Sequence, residues 1–202
     1  MKTLALVVGS VPQGENNKIL TLLTPTGKTN TIVYRGLSQS NPLRPLTEIL
    51  TYSSLELSKG KGDLLQLKSG EIIESFYDLR LDYDKLKQAC DIAKIAKSLI
   101  LTDVQENLEV MQLTLNTIYI IQKLENYEQI KSIFLCRLLS IIGYMAHFTD
   151  NETVSNFINH IMTCNKNKIF SYMLDEKNAE IFRKYINDLA EEHIYWGDNK
   201  SA

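Results

Sequence analysis

Long apolar runs are missing from this sequence of 202 residues. The apolar stretch at residues 4–9 is only a few residues long and follows a single lysine, Lys2. It is therefore too short to cross a bilayer or to form the hydrophobic part of a secretion signal. The sequence predicts a cytoplasmic protein that does not enter a membrane.

Cysteine is scarce as well, and the three cysteines, Cys90, Cys136 and Cys164, are far apart. An odd number of widely spaced cysteines inside helical patterns fits reduced, buried thiols better than a disulfide framework. Neither the cysteines nor the three histidines have the spacing that is typical of zinc ligands. We therefore expect no bound metal and no other cofactor.

Motifs typical of enzymes are also missing. Residues 25–29, Pro-Thr-Gly-Lys-Thr, look like the end of a phosphate-binding loop, but that signature needs a glycine where this chain has Leu22, and a helix afterwards. Strand-like segments flank these residues on both sides, which favours a hairpin turn. No Gly-x-Ser-x-Gly elbow, His-Glu-x-x-His helix or cysteine with an evident general base is present. The sequence predicts a protein without catalytic activity.

An excess of positive charge is the last feature that the chain lacks, since its formal net charge is -2. Residues 1–78 hold eight basic and seven acidic side chains, which leaves 14 basic and 17 acidic ones for the remainder. A protein that is basic all over is excluded, so any nucleic-acid surface must be local.

Proline and glycine are confined almost entirely to the front of the chain. All four prolines lie at or before Pro45, and seven of the nine glycines lie at or before Gly70. Because these residues punctuate turns and are poorly tolerated inside helices, an α+β protein is predicted. We place the boundary at residue 78, with a β domain over residues 1–78 and a helical domain over residues 79–202.

Short segments rich in β-branched and aliphatic residues, separated by turn clusters, make up the front part. Five antiparallel strands without an intervening helix predict a small barrel, either an OB-fold or an SH3-like barrel, and the OB-fold is the commoner nucleic-acid binder. The five predicted strands are Thr3–Ser10, Lys18–Thr24, Asn30–Tyr34, Thr47–Leu57 and Leu64–Ile73.

Apolar residues that recur every three or four positions predict about five helices in the back part, packed as a bundle. One begins after Asp103, which has Glu106 three residues later as in a capping box. The helix marked by Ile130 to Met145 is apolar on most of its circumference, as expected for a central helix.

Residues 34–45 form a long polar connection between two predicted strands and carry the first candidate binding residues, Tyr34, Arg35 and Arg44. Binding residues concentrate on such loops when a rigid barrel holds them. Arginine can bind a phosphate bidentately, and tyrosine can stack on an unpaired base. The alternative is that both arginines only make the loop soluble and that Tyr34 belongs to the barrel core.

Two groups of lysines are weaker candidates. Lys59 and Lys61 lie on a predicted hairpin turn and could extend a phosphate-binding surface only if they share a face with the two arginines. Three more, Lys87, Lys94 and Lys97, lie roughly along one side of a predicted helix, which is usually only its solvated face.

Several segments, in this order and spacing, resemble the RecO family of bacterial recombination mediators. Residues 8–28, with Gly14-Glu15-Asn16 and the leucine-rich strand after it, are similar to the first hairpin of that family. The resemblance covers residues 4 to about 146 well and the last helix loosely. Its other segments are residues 34–36, 43–44, 55–64 and 71–76, and the Leu-Leu to Gly-Tyr helix at residues 137–144.

The resemblance implies a protein that binds single- and double-stranded DNA and anneals complementary strands without a catalytic site. It also implies RecR as a partner, loading of RecA onto DNA coated by single-stranded DNA-binding protein, and association with the nucleoid. The family receives the acidic tail of single-stranded DNA-binding protein on its helical domain, and Arg137 matches an arginine of that family helix. An ion pair within the fold explains Arg137 equally well.

The chain departs from the family pattern in two respects. Many members have a four-cysteine zinc insertion after the Gly-Tyr helix, whereas residues 145–150 run straight on here, so zinc is not expected. The barrel also has little net positive charge. A rival interpretation is therefore a protein-interaction module whose barrel no longer binds DNA.

Overall fold

A computed structural model describes residues 1–60, 62, 64–99, 107–145, 149–165 and 168–193. Strands come first and helices follow, which confirms the α+β class. The strands are β1 (Lys2–Gln13), β2 (Asn17–Thr24), β3 (Gly27–Val33), β4 (Tyr52–Lys59) and β5 (Leu65–Glu74). The helices are α1 (Tyr83–Leu99), α2 (Asn107–Ile121), α3 (Tyr127–Ile141), α4 (Glu152–Thr163) and α5 (Glu176–His193).

The five strands close into a barrel in the order β1-β2-β3-β5-β4. All neighbouring strands are antiparallel except β3 and β5, which pair in parallel through Thr31 with Leu65 and Ile32 with Gln66. This is the strand order of an OB-fold, so the predicted OB-fold barrel is confirmed and the SH3-like alternative is wrong.

Side chains that alternate along each strand fill the interior of the barrel. Leu20 and Leu22 of β2 and Val33 of β3 are fully buried there. The residues that alternate with them along each strand therefore face outward. The full set of core residues is Ala5, Val7, Leu20, Leu22, Val33, Leu46, Leu55, Leu57 and Leu67.

The fourth strand begins later than predicted. Instead of extending from Thr47, β4 starts at Tyr52, and residues Arg44–Thr47 form a 3₁₀ turn. Pro45 lies in the first positions of this turn, where its missing N–H costs no hydrogen bond. Leu46 then enters the core, and Leu50 takes a left-handed backbone with φ of 70°. The apolar residues before β4 are therefore buried without being part of a strand.

Helix α1 packs against β1 and against a second 3₁₀ turn at Tyr77–Leu81. Leu6 and Leu23 face away from the barrel interior and are nevertheless fully buried, because α1 covers this part of the outer face. Arg80 of the second turn donates hydrogen bonds to the carbonyl oxygens of Ser75, at 2.8 Å, and Ile49, at 2.9 Å.

Contacts divide the chain into two compact units, residues 1–111 and residues 112–202, and the division falls within α2. The domain boundary at residue 78 stays a prediction. The predicted start of a helix at Asp103 lies outside the described residues, and α2 is described from Asn107 onward.

Helix α3 is the centre of the second unit, where it packs against α4 and α5. It is buried on most of its circumference, as predicted. It ends before Met145, however, because Gly143 takes a left-handed backbone with φ of 83°. The N–H of Tyr144 donates to the carbonyl of Leu139, and the N–H of Gly143 to that of Ser140, which is a Schellman motif.

Candidate nucleic-acid interface

The connection between β3 and β4 is held in shape by Asn41. Its side-chain amide donates a hydrogen bond to the carbonyl of Tyr34 at 2.9 Å, and its side-chain oxygen accepts one from the N–H of Leu43 at 2.9 Å. Its backbone carbonyl accepts a third from the N–H of Arg44 at 3.0 Å. One asparagine therefore links the segment that carries Tyr34 and Arg35 to the segment that carries Arg44.

Arg35 takes a left-handed backbone conformation with φ of 55°. For a residue other than glycine this costs about 1 kcal/mol, which the surrounding hydrogen bonds offset. The N–H of Arg35 donates to the side-chain oxygen of Asn17 at 3.0 Å, and its carbonyl accepts from the N–H of Ser38 at 3.0 Å. The N–H of Leu37 donates to the carbonyl of Asn16 at 3.0 Å, so the loop is also tied to the β1–β2 turn.

Tyr34 lies on the surface and not in the barrel core, with 42% of its side chain exposed. It follows β3 directly, and a shallow depression of about 180 Å³ opens beside it. The depression is lined by Tyr34, Arg35, Ser40, Asn41 and Pro42. An aromatic ring next to a guanidinium group is the combination that can hold an unpaired base and its phosphate.

Arg35 and Arg44 are both exposed, and neither forms an ion pair within the described part of the chain. The segment from Tyr34 to Thr47 contains no acidic residue. The next one, Glu48, lies 3.5 Å from the Nζ of Lys18, which also donates to the hydroxyl of Thr47 at 3.0 Å. Because Lys18 neutralises Glu48, the charge of both arginines is left for a ligand.

Lys59 does not lie beside the two arginines. It ends β4 opposite Leu65, which in turn pairs with Thr31 of β3. Arg35 lies four residues beyond Thr31, roughly 13 Å at the usual rise of a strand. Lys61 lies outside the described residues. The structure thus brings together Tyr34, Arg35 and Arg44 and places Lys59 apart from them.

Arg137 is half-buried in α3, and its guanidinium group points to the end of α4. Its Nη1 donates hydrogen bonds to the carbonyls of Ile161, at 3.1 Å, and Met162. These carbonyls belong to the last turn of a helix, where the partial negative charge of the helix dipole favours a cation. The structure thus shows hydrogen bonds from Arg137 to backbone carbonyls.

The cysteines of the described residues behave as packed thiols. Cys136 is fully buried, and burial raises the pKa of its thiol well above its usual range. Burial also raises the pKa of Cys90 and Cys164. In the same part of the chain, no three His, Cys, Asp or Glu side chains come close enough to hold a metal ion, and no helix is both long and apolar enough to cross a bilayer.

The role of Asn41 in the loop was not predicted from the sequence. The available signal is Ser40-Asn41-Pro42, since an asparagine before proline often bonds to the backbone two residues later and initiates a turn. Such a signal indicates the turn, but the partner at Tyr34 depends on the path of the whole loop.

Replacing Asn41 with alanine is expected to loosen this loop. Two hydrogen bonds are lost, which should lower the free energy of unfolding by about 1 to 2 kcal/mol and increase amide exchange at Leu43. Ser40→Ala is the matched control, because the side-chain hydrogen bond described for Ser40 joins its hydroxyl to that of Ser38, at 3.0 Å, within the same loop. Hydrogen exchange measured by mass spectrometry distinguishes them; equal protection at Leu43 in both variants and in the unaltered protein contradicts the role given to Asn41.

Comparison with known proteins places the chain among relatives. Residues 1–76 match the family model described as recombination protein O N terminal. The DNA repair protein RecO of Acetivibrio thermocellus is 34% identical over 146 residues, which is 71% of this chain and 57% of that protein. The RecO protein of Caldicellulosiruptor saccharolyticus is 25% identical over 182 residues, covering 90% of this chain and 70% of the relative. That of Caldicellulosiruptor bescii is 27% identical over 150 residues, covering 74% and 61%. The chain thus spans little more than half of the Acetivibrio protein.

Proposed function

Because this chain belongs to the RecO family, whose N-terminal domain it carries at residues 1–76, we propose that it is a DNA-binding mediator of recombinational repair. In this role it binds single- and double-stranded DNA and anneals complementary strands without a catalytic site. The observation that carries the proposal is a hydrogen-bonded loop on an OB-fold barrel that displays Tyr34, Arg35 and Arg44 with no carboxylate of its own.

The chemistry of this loop suits a protein that must hold DNA and then release it. Two guanidinium groups can neutralise two phosphates, and contacts to phosphate carry no sequence information. Bases beyond the few nucleotides that the barrel holds are left free to pair with a second strand, and affinity stays modest and sensitive to salt. Lys59, and Lys61 outside the described residues, are secondary candidates for additional phosphate contacts.

The partners belong to the same proposal. We propose that the chain works with RecR and thereby assists the loading of RecA onto strands that are coated by single-stranded DNA-binding protein. The acidic tail of that coating protein is proposed to dock on the helical domain near Arg137. A guanidinium group has five N–H donors, and the described contacts of Arg137 use only Nη1, so the group can also bind a carboxylate.

An annealing assay tests the proposal. Two complementary oligonucleotides carry a donor and an acceptor dye, and energy transfer reports their pairing after mixing. We expect the protein to accelerate pairing several-fold at low salt and to lose this effect as salt rises, because the contacts are to phosphates. No acceleration, together with no binding to either strand at low salt, would favour the interaction module whose barrel has lost DNA binding.

A further inference from the structure

The outer face of the barrel carries a continuous row of aliphatic side chains next to Tyr34. Because Thr31 and Val33 of β3 are buried inward, Asn30, Ile32 and Tyr34 face outward. Ile32 pairs with Ile19 of β2, and Ile19 pairs with Val11 of β1. Val11 is 54% exposed, while Ile19 and Ile32 are half-buried. These three side chains form an apolar row across three strands. A single cross-strand pair, Lys18 with Val33, separates this row from Tyr34 at the start of the candidate loop.

The next row across the same strands consists of Gly9, Thr21 and Asn30. Helix α1 reaches this row with Lys97. A methyl group on Gly9 would lie 3.2 Å from the Nζ of Lys97 and 3.3 Å from the side chain of Thr21. The ammonium group therefore lies over the glycine, on the outer face of the barrel, where any larger side chain on β1 would displace it.

The ammonium group of Lys97 has different surroundings from that of Lys94, the preceding lysine on the same helix. Lys94 is 75% exposed and lies 3.5 Å from the carboxylate of Asp91, one turn away on the same helix. Lys97 is exposed but has no ion pair among the described residues, and its ammonium group faces the barrel rather than the helix surface. The usual interpretation of a lysine-rich helix face as merely solvated fits Lys94 and does not fit Lys97.

We propose that Lys97 binds a phosphate of single-stranded DNA that crosses the aliphatic row on its way to Tyr34 and Arg35. The inference rests on the proposed function and adds a second anchor, from α1, to the first anchor in the loop. Asn30 of β3 lies four residues before Tyr34, which follows that strand directly, so the anchors are separated by roughly 13 Å along the strand direction. One or more nucleotides lie between them, above Val11, Ile19 and Ile32.

This arrangement selects single strands. Unpaired bases have two apolar faces that can lie on aliphatic and aromatic side chains, and stacking of this kind tolerates any sequence. In a duplex the bases are stacked on one another, and only phosphates and groove edges reach a protein surface. The apolar row therefore contributes to single-strand binding and adds nothing to duplex binding.

Fluorescence anisotropy of a labelled 20-nucleotide oligothymidine, titrated with the full chain at several salt concentrations, tests the inference. We expect Lys97→Ala to reduce the slope of log K against log salt by about 0.7, one single-strand phosphate contact, and the affinity at 50 mM salt by about eightfold. Lys94→Ala removes the same charge from the same helix and should change neither quantity by a comparable amount. Lys97→Arg should keep the slope of the unaltered protein.

The outcomes separate this inference from the proposed function. If the unaltered protein binds and Lys97→Ala behaves like Lys94→Ala, Lys97 makes no phosphate contact and the second anchor is wrong, whereas DNA binding by the loop stands. If the unaltered protein fails to bind at 50 mM salt, the proposed function itself is wrong. Equal unfolding temperatures of the three variants exclude loss of structure as the cause of a change.

Discussion

Replacing both Arg35 and Arg44 with alanine is expected to weaken binding of single-stranded DNA by about sixtyfold at 50 mM salt, because two phosphate contacts are lost. The slope of log K against log salt should fall by about 1.4 on single strands and by about 1.8 on a duplex. Both side chains are exposed and without ion pairs among the described residues, so the fold should be unaffected. Anisotropy titrations with the unaltered and the double variant measure the difference.

A matched control for this double variant lies in the second unit. Lys177 and Lys184 are exposed on α5, and neither has an ion pair within the described ranges. Changing both to alanine removes the same total charge. A loss of affinity equal to that of the arginine variant would show that only net charge matters, and it would contradict a binding site on the β3–β4 loop.

Replacing Leu46 with alanine is expected to destabilise the barrel by about 2 to 5 kcal/mol, the usual cost of truncating a fully packed leucine. Leu46 is 4% exposed and belongs to the barrel core. A methyl group on Gly70 of β5 would lie 3.1 Å from Cδ1 of Leu46 and 2.7 Å from Cδ2 of Leu55, so the two leucines fill the space over this glycine.

Hydrogen exchange locates this effect within the chain. Protection of the β1 to β5 amides should fall in Leu46→Ala, and that of α3 to α5 should stay the same, since these helices lie in a separate unit. DNA affinity should fall as well, because Leu46 anchors the 3₁₀ turn that begins at Arg44. Leu81→Ala is the control, since Leu81 is 73% exposed. Unchanged barrel protection in Leu46→Ala would contradict the packing described for this turn.

Local sequence signals predicted the barrel well. They failed where tertiary packing determines the backbone conformation. Short segments rich in β-branched and aliphatic residues, with turn clusters between them, predicted five strands and an OB-fold, and the structure has both. The start of β4 was wrong because Leu46 and Leu50 have the apolar character of strand residues but are buried in a 3₁₀ turn and a left-handed bend. The pattern of apolar residues indicates that a side chain is buried, but it does not indicate the backbone conformation in which that side chain is buried.

The end of α3 shows a second limit of the same kind. Its apolar stripe extends to Met145, so the periodicity alone predicts a longer helix. The helix ends at Ile141, four residues earlier, because Gly143 takes a left-handed backbone. Glycine near a helix end is a recognised stop signal. This stop signal is visible in the sequence, and a prediction that ended the helix at the glycine would have been closer to the observed end of α3.

The candidate site was predictable in part. Two arginines at the ends of a polar loop indicated Arg35 and Arg44 as candidates, and the structure shows that both are exposed. Whether Tyr34 lies in the core or on the surface depends on where β3 ends, and the sequence alone does not determine the last residue of that strand. Lys97 is 62 residues from Arg35 in the chain, and no local pattern indicates that α1 lies across β1. Its contact with the Gly9 position became evident only from the packing.

The central claim is that the outer face and the β3–β4 loop of the barrel bind a sugar-phosphate chain, although the chain as a whole is slightly anionic. The most direct test is the salt dependence of binding between the unaltered protein and a single-stranded oligonucleotide. With Arg35, Arg44 and Lys97 in contact with phosphates, log K should fall linearly with log salt with a slope of about -2. Absence of binding at 50 mM salt, or an affinity that does not change with salt, would contradict the claim.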